Sequence, residues 1–266
     1  MLQKVFLFSL LALLFPQTQT NPKQELNDQL FEAVRKGDAA AVTAALDHGA
    51  DVNARFRYGM TALFKAAERG NADVTKVLLD RGIDVNVKDT FYQATALSWA
   101  LQNDHFNVVT LLLQKGADGA DDVLMSGVQQ NKEDVVKIAL DTGKIKPEDL
   151  TAALAFSMNA NTTAITDMLK KAGAMPPLEV DAATLQSYAG KYKGETGPEA
   201  TISVKDGKLF VAGFTREPQP LMALDKTTFR PIAFGGITLV FNVDAGKVVS
   251  MTFKGGGPAN VMKRLD

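Results

Sequence analysis

The chain has 266 residues, of which 46% are hydrophobic and 22% are charged, as in ordinary globular proteins. Lys and Arg number 29 against 30 Asp and Glu, and the formal net charge of −1 gives no overall attraction to nucleic acid or to an anionic membrane. The absence of cysteine excludes disulfides, thiolate zinc sites and cysteine nucleophiles. A chain of this length holds one large domain or two ordinary ones.

Residues 1–20 have the pattern of a secretory signal peptide. Lys4 precedes an apolar run from Val5 to Phe15, and Pro16 ends that run. The run is too short to span a bilayer, which takes about 20 residues. Threonines at positions 18 and 20 offer small side chains before a cleavage point near position 21. We expect an exported protein, periplasmic or secreted. The alternative is a buried N-terminal helix.

The next part of the chain contains a repeated motif. The letters GADVN at residues 49–53 return as GIDVN at residues 82–86 and as GAD at residues 116–118. The glycines at positions 49, 82 and 116 are therefore 33 and 34 residues apart. The tetrapeptides MTAL at residues 60–63 and ATAL at residues 94–97 repeat with the same spacing. A period of this length predicts stacked helix–turn–helix units.

These motifs resemble the ankyrin repeat, and the resemblance covers residues 27–174 as about five repeats, the last two degenerate. Thr61 and Thr95 stand where a side-chain oxygen can cap the first helix of a repeat. Gly70 is placed to adopt a left-handed conformation between the two helices. Later repeats fill that position with residue types that tolerate this conformation next best, namely Asp104, Asn131 and Asn161. The proline and histidine of the usual Thr-Pro-Leu-His tetrapeptide are missing.

Ankyrin repeats bind other proteins through their hairpin tips and inner helical face, so the resemblance implies a partner-binding site. The matching positions are Arg55, Arg57, Tyr58, Met60, Glu68, Arg69, Asp89, Phe91, Tyr92, Gln102 and Asn103. Aromatic and arginine side chains, which these tips carry, are enriched at interface hot spots. The alternative is that Phe56 and Phe91 fold back onto neighbouring hairpins as packing. We expect Trp99, in the first helix of the third repeat, to be partly buried packing.

The segment 175–180 begins Met-Pro-Pro and predicts a linker, because it breaks the helical pattern. Over residues 181–266 the apolar period changes to two. Ile202 and Val204 alternate with polar residues before an Asp-Gly pair at 206–207, which is a strong hairpin signal. The pattern predicts about eight short strands, four of them at residues 188–193, 220–223, 228–231 and 259–264. Eight up-and-down strands can close into a barrel.

Three short motifs of this region are YAGKY at residues 188–192, DGKL at 206–209 and GKV at 246–248. They resemble the lipocalin-like domain that is often appended to secreted penicillin-binding and β-lactamase-type proteins. A barrel of eight strands is either filled by its own side chains or holds one small ligand, and we expect a filled interior. The predicted fold class is therefore α+β multidomain, an α-helical ankyrin solenoid followed by a small antiparallel eight-stranded β-barrel-like domain.

The sequence gives no sign of catalysis. No serine is followed by lysine three residues later, so the Ser-x-x-Lys nucleophile of those hydrolases is absent. The two histidines, His48 and His105, have no metal-ligand spacing, and no phosphate-binding or dinucleotide fingerprint occurs. We therefore predict no enzyme, no cofactor and no metal.

The leading functional hypothesis is an exported scaffold or adaptor that binds a protein partner through the ankyrin tips and inner face, with no nucleic acid and no membrane span. The alternative is small-molecule or lipid binding by the C-terminal barrel, with the repeats as a tether, although a small apolar ligand is the less favoured partner. A third hypothesis, an enzyme-inhibitor or immunity role, has no sequence feature that separates it from the first.

Overall fold

The computed structural model describes residues 21–195, 197, 199–233, 236–255 and 257–265. The predicted signal peptide, residues 1–20, lies outside this part of the chain. The described chain consists of helices up to residue 188 and of strands from residue 190 onward, as the predicted fold class requires.

Ten helices form five consecutive pairs in the described N-terminal half. They are α1 (Pro22–Lys36) and α2 (Ala39–Asp47), α3 (Ala62–Glu68) and α4 (Ala72–Asp80), α5 (Ala96–Gln102) and α6 (Phe106–Gln114), α7 (Ala120–Gln129) and α8 (Glu133–Leu140), and α9 (Pro147–Asn159) and α10 (Thr163–Lys171). Among the first helices, α1 packs on α3, α3 on α5 and α7 on α9, and the second helices pack on one another from α2 to α10. One continuous apolar cluster runs through the pairs from Leu30 to Ala174.

The turn inside each pair depends on a left-handed residue, as predicted. Gly70 has φ of 66°, and Asp104, Asn131 and Asn161 have φ of 57°, 53° and 56°. Gly70 also meets a steric limit, because a Cβ there would lie 2.5 Å from Nδ1 of His105 in the next pair. The backbone conformation of the turn between α3 and α4 therefore favours glycine, and the close packing of His105 requires it.

The helix-capping prediction is confirmed at one threonine and wrong at the other. The Thr95 side chain accepts a hydrogen bond from the backbone N–H of Ser98, and the Ser98 hydroxyl accepts one from the backbone N–H of Thr95. Thr61 makes no side-chain cap, and its buried Oγ1 has no hydrogen-bond partner. The residue three positions after Thr61 is Phe64, which cannot return a hydrogen bond to the backbone as Ser98 does.

The recurrent Asp-x-Asn motif forms a ladder between successive pairs. Oδ1 of Asn53 accepts the backbone N–H of Asp84 at 2.9 Å, and Oδ1 of Asn86 accepts that of Asp118 at 2.9 Å. At the N-terminal end, Asn27 of α1 makes the equivalent bond to Asp51 at 2.8 Å. The ladder has no successor after Asp118, because the position one period after Asn86 holds alanine. In the described chain, long hairpins join α2 to α3 at residues 48–61 and α4 to α5 at residues 81–95, and α6 is joined to α7 by a shorter loop.

The strands form a closed antiparallel barrel in which each neighbours the next in sequence and β8 returns to β1. They are β1 (Gly190–Lys193), β2 (Ala200–Lys205), β3 (Lys208–Ala212), β4 (Gln219–Ala223), β5 (Thr228–Pro231), β6 (Thr238–Asp244), β7 (Lys247–Lys254) and β8 (Asn260–Arg264). Asp206 and Gly207 both have positive φ in the turn between β2 and β3, so the hairpin prediction is confirmed. Helix α11 (Ala182–Tyr188), which was not predicted, takes Tyr188 out of the expected first strand.

Aromatic rings fill the inside of the barrel. Tyr188 stacks on Phe241 with ring centroids 4.2 Å apart, and Phe229 meets Phe241 edge-on at 5.6 Å. The buried Tyr192 donates its hydroxyl to the carbonyl of Tyr188 at 2.8 Å, and Tyr188 donates to the carbonyl of Lys226 at 2.8 Å. Both phenols are therefore satisfied within the apolar core, which stabilises this packing.

The barrel docks on the last two helix pairs. Ala152 and Ala155 of α9 form an apolar cluster with Met222 of β4 and Ile232, which follows β5. Beside that cluster, Nη1 of Arg230 lies 2.7 Å from Oδ1 of Asp149, and their side chains are only 6% and 12% exposed. A buried ion pair next to an apolar cluster favours one orientation of the two packed units, since a misaligned packing would bury one charge without its partner.

Candidate partner-binding groove

A groove of about 800 Å³ lies between the tips of the two long hairpins and the helices α1, α3 and α5. We call it the hairpin groove. It is lined by Phe31, Arg35, Phe56, Arg57, Tyr58, Met60, Thr61, Phe64, Lys65, Glu68, Asp89, Phe91, Tyr92 and Trp99. All lining residues fall between positions 31 and 99, so the barrel contributes none of them.

Four aromatic rings form one continuous wall of the groove. Tyr58 and Phe91 lie 5.8 Å apart between ring centroids, Phe91 and Tyr92 lie 4.6 Å apart, and Tyr92 and Trp99 lie 6.4 Å apart. Phe91 is 66% and Tyr92 is 69% exposed. Large aromatic surfaces that remain in water next to a concavity are typical of an interaction site.

The two phenylalanines for which back-folding was an alternative behave differently. Phe56 does fold back, since its ring lies 4.3 Å from that of Phe31 on α1 and is only partly exposed. Phe91 projects from the tip of its hairpin and is largely exposed. Trp99 is partly buried, as expected, but its ring also forms part of the groove wall.

Asp89 organises the hairpin that carries Phe91 and Tyr92. Its side chain is buried, and its carboxylate accepts the backbone N–H groups of Phe91 at 2.8 Å, Tyr92 at 2.5 Å and Ala94 at 3.2 Å. Burial opposes the charged form, but the hydrogen bonds from these three backbone groups outweigh it and lower the pKa of Asp89. The indole N–H of Trp99 also contributes to this lowering by proximity, without a hydrogen bond of good geometry. Asp89 therefore positions the aromatic wall.

Among the described residues, some charged side chains around the groove are paired with an opposite charge, and Arg57 is not. Arg35 forms a two-pronged pair with Glu32, with nitrogen–oxygen distances of 3.0 Å and 2.9 Å, and Lys65 lies 2.6 Å from Glu68. Arg57 instead stacks over the ring of Tyr58, with its guanidinium carbon 4.6 Å from the centroid. Within the described residues, Arg57 has no carboxylate within ion-pair distance.

Comparison with protein-family models gives a match over the first helix pairs. The family model described as ankyrin repeats (3 copies) matches residues 10–89 and 30–122. The match covers the pairs with the long hairpins and reaches into α7. These helix pairs are ankyrin repeats. No curated protein matches the chain.

Ankyrin repeats support a role in protein–protein interaction and are typically non-enzymatic. In the part of the chain that the structure describes, no three His, Asp or Glu side chains gather where they could hold a metal ion. No described helix is both long enough and apolar enough to cross a bilayer.

The groove contains seven of the eleven predicted site residues, Arg57, Tyr58, Met60, Glu68, Asp89, Phe91 and Tyr92. The other four are exposed but do not line it, and these are Arg55, Arg69, Gln102 and Asn103. Sequence reasoning missed seven lining residues, namely Phe31, Arg35, Phe56, Thr61, Phe64, Lys65 and Trp99.

An alignment of the ankyrin repeats on their left-handed residues would have found several of the missed ones. Six positions before that residue stand Phe31 in the first repeat and Phe64 in the second. Five positions before it stand Lys65 and Trp99 in the second and third repeats. All four line the groove. The sequence signal for these four residues is therefore their position within the repeat.

The equivalent positions in the fourth and fifth helix pairs contact the barrel. The residues six positions before the left-handed residue, Met125 and Ala155, pack in the apolar cluster with Met222 and Ile232. Glu68, which lines the groove, stands two positions before the left-handed residue, and its counterparts in the later pairs are Gln129 and Asn159. Gln129 donates to the carbonyl of Ala233 at 3.4 Å, and Asn159 accepts from Lys208 at 2.7 Å. The barrel therefore covers, in repeats four and five, the face that forms the groove in repeats one to three.

A smaller cavity of about 470 Å³ lies where the linker, α9 and one end of the barrel meet. Its lining is largely apolar and includes Met158, Leu178, Leu209, Leu221 and Phe229. Met158 and Leu178 are about half exposed at its rim. Domain junctions and barrel mouths are frequent places for small-ligand sites.

Proposed function

We propose that this protein is an exported, non-enzymatic scaffold or adaptor that binds a partner protein in the hairpin groove. The observation that carries the proposal is the aromatic wall of Tyr58, Phe91, Tyr92 and Trp99, of which the first three rings are exposed, beside a concavity of about 800 Å³. Burying one such side chain fully on binding contributes about 1.5–3 kcal/mol. Two or three buried rings therefore supply much of the binding free energy of a micromolar complex.

The experiment compares capture of partners by two triple variants. Tyr58→Ser, Phe91→Ser and Tyr92→Ser together remove the exposed wall. The control replaces Val243, Val249 and Val261 by serine, because these are also about half exposed but lie on strands of the barrel and do not line the groove. Chemical cross-linking in the native envelope, followed by mass spectrometry, should recover the same partner with the wild type and the control, and lose it with the wall variant. Equal recovery by all three proteins would remove the groove from the proposal.

Export is a separate part of the proposal, supported by the apolar run from Val5 to Phe15 after Lys4. Cell fractionation and N-terminal sequencing of the mature protein test it. We expect a mature chain that begins near position 21, outside the cytoplasm. A cytoplasmic protein that retains residues 1–20 would contradict export without affecting the groove.

The barrel supports an alternative function, the binding of a small apolar molecule with the repeats as a tether. We place its site at the 470 Å³ junction cavity, since aromatic rings fill the barrel itself. Native mass spectrometry of the full chain should then detect an apolar ligand that Leu178→Glu excludes. The lipocalin-like affiliation of residues 181–266 likewise stays a proposal, supported by the closed eight-strand barrel and the short motifs at residues 188–192, 206–209 and 246–248.

A further inference from the structure

The charges that remain free around the hairpin groove are positive. Glu32 and Glu68 are occupied by Arg35 and Lys65, and the carboxylate of Asp89 is buried under three backbone N–H groups. Arg55 and Arg57 on the first hairpin have no such compensation. Arg55 donates to the carbonyl of Gly59 at 3.3 Å, and Arg57 lies on the ring of Tyr58. A partner with carboxylates at this rim would meet guanidinium groups that no described carboxylate neutralises.

The floor of the groove is apolar and contains one unsatisfied polar atom. Phe64 of α3 is almost fully buried there, and Met60 lies between the floor and the hairpin tip. Oγ1 of Thr61 is buried and has no hydrogen-bond partner in the described structure. Because this atom has almost no accessible surface, it offers no polar contact to an occupant of the groove. The floor therefore fits a large apolar side chain.

The barrel limits how long an occupant can be. It covers the inner face of the fourth and fifth repeats, through contacts such as Lys208 with Asn159 and Gln129 with Ala233, and leaves α1, α3 and α5 free. Neighbouring packed helices lie about 8–10 Å apart, so three of them span about 16–20 Å. An extended chain rises about 3.3 Å per residue, which gives about five or six residues in the groove.

From these three constraints we propose that the hairpin groove binds an extended peptide segment of about six residues, in which a phenylalanine-like side chain is flanked by carboxylates. The proposal rests on the proposed protein-binding function and names the chemistry of the partner. The aromatic side chain packs against Phe91, Tyr92 and Trp99 over the floor made by Phe64. The flanking carboxylates pair with Arg55 and Arg57.

Trp99 provides a direct reporter, because it is the single tryptophan of the sequence and lies in the groove wall. Three capped hexapeptides, titrated into the full chain while its fluorescence is followed, test the proposal. The first has a central phenylalanine between two glutamates, the second has lysines in place of the glutamates, and the third has alanine in place of the phenylalanine. We expect the first to bind about tenfold more tightly than either of the others, since each exchange removes an interaction worth about one factor of ten.

Two arginine variants test whether the preference for the glutamate peptide arises at the groove. In Arg57→Gln, the advantage of the glutamate peptide over the lysine peptide should fall about threefold, the size expected for a partly exposed ion pair. Arg216→Gln changes the net charge equally but lies in the loop between β3 and β4 of the barrel, and it should leave the preference unchanged. Thermal unfolding of both variants checks that each is folded.

Tighter binding of the lysine peptide, equal binding of all three peptides, or no fluorescence response up to millimolar concentration would each overturn the proposed peptide chemistry. These results are distinct from a failure of the proposed function. If the wall variant loses its cross-linked partner while the glutamate peptide shows no preference, the groove binds protein by a different chemistry. If neither experiment depends on the groove, both proposals fail.

Discussion

Replacing Asp149 by alanine tests whether the ion pair with Arg230 holds the barrel on the ankyrin stack. In the variant, a guanidinium group whose side chain is only 6% exposed would lose its carboxylate, and its Nε already lacks a hydrogen-bond partner. Loss of one partner from a buried pair costs about 3–5 kcal/mol. A typical domain has only about 5–15 kcal/mol of total stability. The loss is therefore large enough to undock the barrel or to unfold part of the chain.

Urea unfolding separates these outcomes. Trp99 fluorescence reports the stack, and far-ultraviolet circular dichroism reports both units, so undocking should split a single coincident transition into two. Asp121→Ala is the matched control, because Asp121 also lies in the first turn of a helix and makes no described ion pair. It also lines, with Asp149 and Arg230, a separate cavity of about 180 Å³. The Asp121→Ala change should alter the unfolding free energy by less than about 0.5 kcal/mol.

A double variant adds the decisive comparison. Arg230→Met in the Asp149→Ala background removes the stranded charge and should recover much of the lost stability, since apolar replacements of buried ion pairs are often neutral. If Asp149→Ala unfolds like the wild type, or if the double variant is less stable than the single one, the ion pair does not anchor the barrel and the reasoning is wrong.

Two further predictions concern the groove and its supporting turn. Asp89→Asn should lower the unfolding free energy by about 2 kcal/mol at neutral pH, because the charged carboxylate accepts three backbone N–H groups. Because the folded-state pKa of Asp89 is lowered, this difference in stability should be lost as the pH falls through that pKa. Urea unfolding at a series of acidic pH values measures it. A difference that stays constant with pH would argue against the charged form. Gly70→Ala should destabilise the protein by about 1 kcal/mol more than Gly82→Ala, since both glycines have positive φ but only at Gly70 does an added Cβ meet another residue, His105. Equal midpoints in thermal unfolding would count against that steric argument.

The periodic features of the fold could be predicted from the sequence because each has a local cause. The left-handed turns at Gly70 and Asp104 depend on the conformational range of single residues, and the Asp206-Gly207 hairpin depends on two adjacent residues. The failed cap at Thr61 shows the limit of such rules. Thr61 and Thr95 occupy equivalent positions, yet the residue three positions later, phenylalanine in one and serine in the other, decides whether a capping box forms.

The composition of the groove was only partly predictable, since it depends on which repeats face one another. Tyr58, Phe91 and Tyr92 could be found because they stand on hairpin tips, whereas Phe31 is found only when the repeats are aligned on their left-handed residues. Docking of the barrel was not predictable. Asp149 and Arg230 are 81 residues apart in sequence, and neither belongs to a recognisable motif.

The docked barrel also has a consequence for how selectivity can change. In a chain without it, Met125, Ala155 and Phe156 would extend the apolar face of the groove along two more repeats. Such a surface would accept longer and more varied ligands, since additional apolar area raises affinity without discriminating among sequences. By covering these positions with its own residues, the protein confines recognition to the first three repeats, where substitutions can retune the choice of ligand without disturbing the junction.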